Sequence, residues 1–245
     1  MKAIILAAGQ GTRIRPIHGL HPKCLIRVDD RTILDHQIQS LGLAGIHEIV
    51  IVVGYEKEQI IRHVSSTYRS CSPQISFVDN PSFAVTNNIY SLWLAQQVLG
   101  EASFVCLNAD VIFDPYILVP ALRSTAPISM IVDPEWREET MKVITSGGRV
   151  TQMSKRIPKE TCSGTYIGIT LFSAEANVQL FASLNKLIKA GRTTEFFNVA
   201  VQQLADEGVH VGFTGTGGLP WAEIDDPADL GFAQQHVFPR LIRAA

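Results

Sequence analysis

Short apolar, β-branched runs alternate with amphipathic stretches along the first hundred positions, as they do where helices cross between the strands of a sheet. Lys2–Leu6 (KAIIL) reads as a first strand ending in Ala7-Ala8-Gly9. Glu48–Val53 (EIVIVV) is continuously apolar, as a parallel strand buried on both faces must be. Ile33–Leu43 and Glu56–Tyr68 read as helices and Ile75–Val78 as a strand. Asn87–Leu99 carries Tyr90, Leu94 and Val98 at four-residue spacing and reads as one helix. Ser103–Leu107 (SFVCL) is a strand that delivers Asn108, Ala109 and Asp110 at its end.

Beyond Asp110 the pattern changes. Ile128–Val132, Lys142–Thr145, Val150–Met153 and Tyr166–Phe172 read as strands, and the Gly147-Gly148 turn predicts antiparallel pairing. Helices follow at Glu175–Ala190 and Thr194–Glu207, then strands at Val209–Phe213 and Trp221–Ile224 and a last helix near Pro227. No repeat or linker interrupts this order. The expected fold is α/β: a single doubly wound, Rossmann-like mixed sheet flanked by helices, with an antiparallel extension in the second half. One domain over 1–245 is expected, with halves of about 1–125 and about 126–245.

Composition changes the picture little. With 46% hydrophobic and 18% charged residues and a net charge of -2, the chain reads as an ordinary soluble protein without disorder. It has no Lys/Arg run to suit nucleic acid. No apolar stretch approaches the ~20 residues of a membrane helix, and no targeting segment is evident, so a cytoplasmic location is expected. The four cysteines (Cys24, Cys71, Cys106, Cys162) lie apart without metal-ligand spacing, and Cys24 and Cys106 read as reduced core residues.

Candidate chemistry starts at Leu6–Pro16 (LAAGQGTRIRP). Small residues and glycines after a first strand let main-chain N–H groups approach a polyphosphate. The segment lacks the third glycine of a dinucleotide fingerprint and the Lys-Ser/Thr of a P-loop, and Pro16 disfavours a long helix. A glycine turn without a ligand would use the same glycines. Two cations, Arg13 and Lys23, make a triphosphate the better reading. Asp110 and Asp225 each end a strand, where a carboxylate points into the ligand crevice of an α/β sheet and can share one Mg²⁺. Either also suits a turn or a helix cap, as do Asp114 and Asp226.

LAAGxGTRxxP followed by PKxL (HPKCL, residues 21–25) resembles the nucleotidyltransferase family that includes sugar-1-phosphate pyrophosphorylases and small cytidylyltransferases. Sugar enzymes of that family carry a Gly-Thr-Ala stretch where this chain has Thr86–Leu92 (TNNIYSL). That run, the EETMKV stretch (138–143), GTYIGI (164–169) and WAEIDDPADL (221–230) are similar to the bacterial phosphocholine and phosphonate cytidylyltransferases. The resemblance spans essentially the whole chain.

The resemblance implies nucleotide contacts at Leu6, Ala7, Ala8, Gly9, Gly11, Thr12, Asn80, Asn87 and Asn108, with Arg13 and Lys23 as the catalytic cations. It implies acceptor contacts at Asn88, Ser91, Lys142 and Lys155, and metal ligands at Asp110 (in NAD, 108–110) and Asp225 (in EID, 223–225). Asn87 and Asn88 suit helix capping as well as pairing with a cytosine edge. Trp136 suits ordinary loop packing or an aromatic cage for a quaternary ammonium.

The implied activity is Mg²⁺-dependent transfer of CMP from CTP to a small phosphonate or phosphorylated alcohol, with release of pyrophosphate. A sugar-1-phosphate nucleotidyltransferase using UTP or TTP is the nearest alternative, and a non-catalytic nucleotide-binding subunit a more distant one. The partners implied are CTP and the acceptor, with neither nucleic acid nor membrane; a homodimer is left open.

Overall fold

The computed structural model describes residues 1–14, 19–69 and 73–241, so Pro16 and Cys71 lie outside the described residues. Five strands build the first half: β1 (Lys2–Ala7), β2 (Glu48–Val53), β3 (Gln74–Asp79), β4 (Phe104–Asn108) and β5 (Val111–Phe113). Six follow: β6 (Ile128–Asp133), β7 (Lys142–Ser146), β8 (Arg149–Ser154), β9 (Gly164–Phe172), β10 (Val211–Gly215) and β11 (Trp221–Glu223). The helices are α1 (Ile33–Leu43), α2 (Lys57–Thr67), α3 (Asn88–Leu94), α4 (Gln96–Leu99), α5 (Leu118–Leu122), α6 (Ala174–Lys189), α7 (Asn198–Asp206) and α8 (Pro227–Phe232).

The main sheet runs β10-β6-β9-β4-β1-β2-β3, with the β7–β8 hairpin attached to β9. β1 is parallel to both β2 and β4, and β2 to β3. β9 lies antiparallel to β4 on one side and β6 on the other, and β10 returns parallel to β6. The period-2 alternation of each central strand feeds two cores. Ile4, Leu6, Val50, Val52, Phe104 and Cys106 pack on one face with α6 and α7. Ala3, Ile5, Ile49, Ile51, Val105 and Leu107 pack on the other with α1 and α2. The fold is therefore the doubly wound mixed α/β sheet with the antiparallel second-half extension.

α1 begins where the sequence places it because Thr32 and Asp35 form a capping box: Asp35 N–H donates to Thr32 Oγ1 (3.1 Å) and Thr32 N–H to Asp35 Oδ2 (3.0 Å). Asp35 also accepts from His63 Nε2 (2.9 Å) on α2 and from the Tyr68 hydroxyl (2.9 Å), so one buried carboxylate ties both helices of that face. Burial opposes its charge, but the bonds from Thr32 and His63 prevail and hold its pKa below the usual carboxylate range.

Three expected elements come out differently. The helix expected over Asn87–Leu99 is two, α3 and α4, meeting at Ala95. The helix expected from Thr194 starts only at Asn198, because residues 193–197 form a strap against the start of α3. Asn87 N–H donates to Thr193 O (2.9 Å), Ile89 N–H to Glu195 O (3.4 Å) and Phe197 N–H to Asn88 Oδ1 (2.8 Å). β11 joins the unforeseen β5 in a separate antiparallel pair.

Gly168 lies in the middle of β9 with φ +85°, beside a register shift between Met130 and Val132 on β6. A Cβ there would come within 3.0 Å of Val111 Cγ2 and 3.1 Å of Asn108 Nδ2. Gly148 has a similar φ of +75° but nothing within 4 Å of an added Cβ. Gly168→Ala should therefore cost about 2–3 kcal/mol in urea unfolding, against about 1 kcal/mol for Gly148→Ala. Equal falls in the two midpoints would refute the packing argument.

Candidate active site

A cleft of about 320 Å³ opens at the C-terminal ends of β1 and β4, large enough for a small-molecule ligand. Leu6, Ala7 and Ala8 line it from the end of β1, and Gly9, Gly11 and Thr12 from the loop that follows. Gly11 has φ +56°, and an added Cβ would lie 3.0 Å from Lys23 Cβ. The glycine thus allows the loop its left-handed turn and lets the lysine stem pass against it.

Lys23 starts a short 3-10 turn, Lys23–Leu25, and its ammonium sits between two carboxylates. Lys23 Nζ donates to Asp110 Oδ2 (2.9 Å) and Asp225 Oδ1 (2.5 Å). Arg13 bridges Asp225 Oδ2 (2.7 Å) and Glu139 Oε2 (3.0 Å). Burial works against the Lys23 charge, but Asp110 and Asp225 outweigh it and raise its pKa. Burial likewise opposes ionisation of Asp225, and Lys23 and Arg13 override it, holding the carboxyl below its usual range.

The two aspartates, far apart in sequence, meet through the β5–β11 pair. Glu223 is registered against Val111, and Ile224 N–H donates to Asp110 O (2.9 Å). Asp226 does what Asp225 does not: it caps α8, accepting from Ala228 and Asp229 N–H. Asp114 caps the turn at Pro115–Ile117.

Glu223 joins Asp110 and Asp225, with one oxygen of each lying within 4.8 Å of the others. Burial, then the charges of Asp110 and Asp225, push Glu223 above the usual carboxylate range. Asp110 Oδ1 is buried without a hydrogen-bond partner. Three converging carboxylates with one orphaned oxygen fit a hard divalent cation, which prefers oxygen ligands. Among the described residues, Asp110, Asp225 and Glu223 are the group placed to hold it.

Of the residues expected in the site, all but Lys142 line this cleft. Lys142 is buried elsewhere: its ammonium donates to the carbonyls of Glu138, Thr140 (3.3 Å) and Lys155 (3.0 Å). Trp136 is also absent from the lining, and its ring carries the Lys142 and Lys159 ammonium groups at 5.2 and 5.9 Å. Asn80 shapes the wall, donating to Thr86 Oγ1 (3.3 Å) and Ser91 Oγ (3.0 Å) and accepting from Ser82 N–H (3.0 Å). Asn87 is the N-cap of α3, its Oδ1 accepting from Asn88 N–H (2.7 Å). Lys155 extends over the Phe196 ring at 4.9 Å.

Glu223, Phe83, Thr86, Cys24, Ala109 and Phe196 line the cleft although none was expected as a site residue. The signal for Glu223 was present, because alternation along Glu223-Ile224-Asp225 puts both acids on one side. Nothing local pointed to Phe196, which the 193–197 strap delivers. Cys24 is no nucleophile, since burial pushes its thiol up to about 12. Cys24, Cys106 and Cys162 are free thiols.

Residues 2–218 match the nucleotidyl transferase family, and the chain belongs to it. It is 42% identical over 110 residues to the choline-phosphate cytidylyltransferase of Streptococcus pneumoniae, covering 45% of this chain and 44% of that protein. It is 39% identical over 119 residues to the 2-aminoethylphosphonate cytidylyltransferase of Lancefieldella rimae, covering 48% and 46%. The chain thus spans less than half the length of these two relatives. The inositol-1-phosphate CTP transferase from T. maritima shares the fold, with a TM-score of 0.80 at 22% identity over 96% of this chain and 97% of that one. Among the described residues no helix is long and apolar enough to cross a membrane.

Mg²⁺ or Mn²⁺ should raise the Tm of the wild-type protein, by an increment equivalent to about 2.7 kcal/mol at a hundredfold excess over Kd. The Asp110→Ala/Asp225→Ala double variant should lose that increment. A full metal-induced shift in the double variant would place the ion elsewhere.

Proposed function

We propose that the protein is a cytidylyltransferase that moves CMP from CTP to a small phosphonate or phosphorylated alcohol and releases pyrophosphate. The observation that carries this reading is the joining, in one cleft, of the glycine loop, two cations and three carboxylates. In that division the first half, about 1–125, holds the nucleotide, and the second, about 126–245, the acceptor.

An acceptor phosphate or phosphonate oxygen, already ionised at neutral pH, attacks the α-phosphorus of CTP. The bond to the bridging oxygen of the β-phosphate breaks, and pyrophosphate leaves with the electron pair. No proton is transferred, so no general base is needed. Loop N–H groups between Gly9 and Thr12 cradle the triphosphate, while Arg13 and Lys23 neutralise it. Both cations reach their carboxylates in this state, so triphosphate oxygens compete with Asp110, Asp225 and Glu139 for them. A divalent ion held by Asp110 and Asp225, with Glu223 beside them, would neutralise charge on the reacting phosphates. Catalysis is then positioning plus charge neutralisation.

Asn87 has its Oδ1 engaged by the helix, which leaves the Nδ2 donor for a cytosine edge. On the acceptor side Lys155 meets the phosphate or phosphonate, with Asn88 and Ser91 at the wall. Phe196 already carries Lys155, and Trp136 already carries two lysines. Neither of these two rings is thus open to a quaternary ammonium, which supports a phosphonate or another small phosphate over phosphocholine.

Pyrophosphate release should be confined to CTP when four NTPs are tested with Mg²⁺ against small phosphonates, alcohol phosphates and sugar 1-phosphates. Turnover of UTP or TTP with a sugar 1-phosphate would overturn the proposal. Asp110→Ala and Lys23→Ala should each lower kcat by at least ~100-fold in a folded protein.

A further inference from the structure

Asp110 occupies an unusual stretch of chain. β4 ends at Asn108, Ala109 and Asp110 form a two-residue turn, and β5 starts at Val111. The direction of the carboxylate depends on that turn, after which β5 leaves the main sheet to pair with β11. Across it lies Gln37, in the middle of α1 and only 1% exposed. Gln37 Nε2 donates to Asn108 O (2.7 Å) and to Val111 O (2.9 Å), the carbonyls that bracket the turn. Both amide hydrogens are thereby used, and the two facing carbonyls fix which end of the amide is the nitrogen.

The other end is informative. Gln37 Oε1 is buried and has no hydrogen-bond partner. An orphaned buried acceptor is destabilising, and a methionine of similar shape would avoid it. Ser40, one turn further along α1, reaches the same connection beyond the turn, its hydroxyl donating to Phe113 O (3.3 Å).

We infer that Gln37 is a positioning residue for the metal-binding carboxylate: by clamping the carbonyls of Asn108 and Val111 it holds Asp110 in line with Asp225 and Glu223. It touches neither substrate nor metal and acts only through the Ala109-Asp110 turn. The inference rests on the reading of Asp110 as a metal ligand, and it adds a fixed strut from α1, on the face of the sheet opposite α6 and α7.

The test is Mn²⁺ affinity of the unreacted protein, read by electron paramagnetic resonance, in the wild type, Gln37→Met, Ser40→Ala and Asp110→Ala. Gln37→Met should weaken Mn²⁺ binding about 10- to 100-fold. Ser40→Ala, which also removes a helix-to-turn hydrogen bond, should leave it within about twofold. The KM for nucleotide at saturating metal should change little in Gln37→Met, since the glycine loop is untouched. If Gln37→Met does not fold, Gln37→Asn keeps the amide but shortens its reach and should show the same direction. A folded Gln37 variant with wild-type Mn²⁺ affinity overturns the inference. Undiminished Mn²⁺ binding by Asp110→Ala overturns instead the assignment of the carboxylates on which it rests.

Discussion

Three carboxyl groups converging within 4.8 Å cannot all stay ionised in a half-buried cleft without compensation. Two like charges about 4 Å apart repel by about 4 kcal/mol at an effective dielectric constant near 20. Lys23 supplies the compensation here by standing between Asp110 and Asp225, with Arg13 on the far oxygen of Asp225. Much of the local architecture serves that meeting. Gly11 makes room for the lysine stem, β5 and β11 bring the acids together, and Asp226 and Asp229 anchor the start of α8 immediately after Asp225. The same balance makes the site responsive to phosphate. In the proposed reaction an anionic triphosphate would compete for Lys23 and Arg13, and Asp110, Asp225 and Glu223 would be the residues to hold a divalent ion.

The place of the cleft follows from strand order. Chain order runs outward from β1 to β2 and β3 on one side, and resumes with β4 on the other. Crossover connections therefore leave β1 and β4 in opposite directions, and their C-terminal ends part to open a crevice. Leu6–Ala8 and Asn108–Asp110 occupy those two ends. The antiparallel β9 beyond β4 passes the Asn108 side chain at Gly168, beside the register shift with β6, where an added Cβ would meet that side chain.

What could be read from the chain tracks how local the determining physics is. Glu48–Val53 and Ile33–Leu43 have the bounds the pattern predicts, because a continuous apolar run and a capping box are decided by adjacent residues. The helix start at Asn198 was illegible from Thr194. What prevents an earlier start is Asn88, 109 positions away, holding the Phe197 N–H. The β5–β11 pair was hidden for a similar reason: Val111–Phe113 is too short to show a period, and its partner lies more than a hundred residues on. In the site, residues on the glycine loop and at strand ends were legible through motif and spacing. Phe196 was not, since it comes to the cleft only through the strap.

Polar side chains in and around the cleft differ in what their atoms are already doing, and this separates scaffold from ligand contact better than residue type does. Lys142, Asn80 and Gln37 each meet main chain or neighbouring hydroxyls through their polar groups, and Lys142 and Gln37 are almost wholly enclosed. Asn88 has its carbonyl oxygen taken by the strap. A ligand able to break such contacts would leave buried partners unsatisfied, at about 1–3 kcal/mol for each group. Arg13 and Lys23 are bonded instead to Asp110, Asp225 and Glu139, in contacts that a phosphate and a cation could replace in kind. The cleft can thus rearrange its electrostatics while the polar frame behind it stays in place, as a reaction driven by positioning requires.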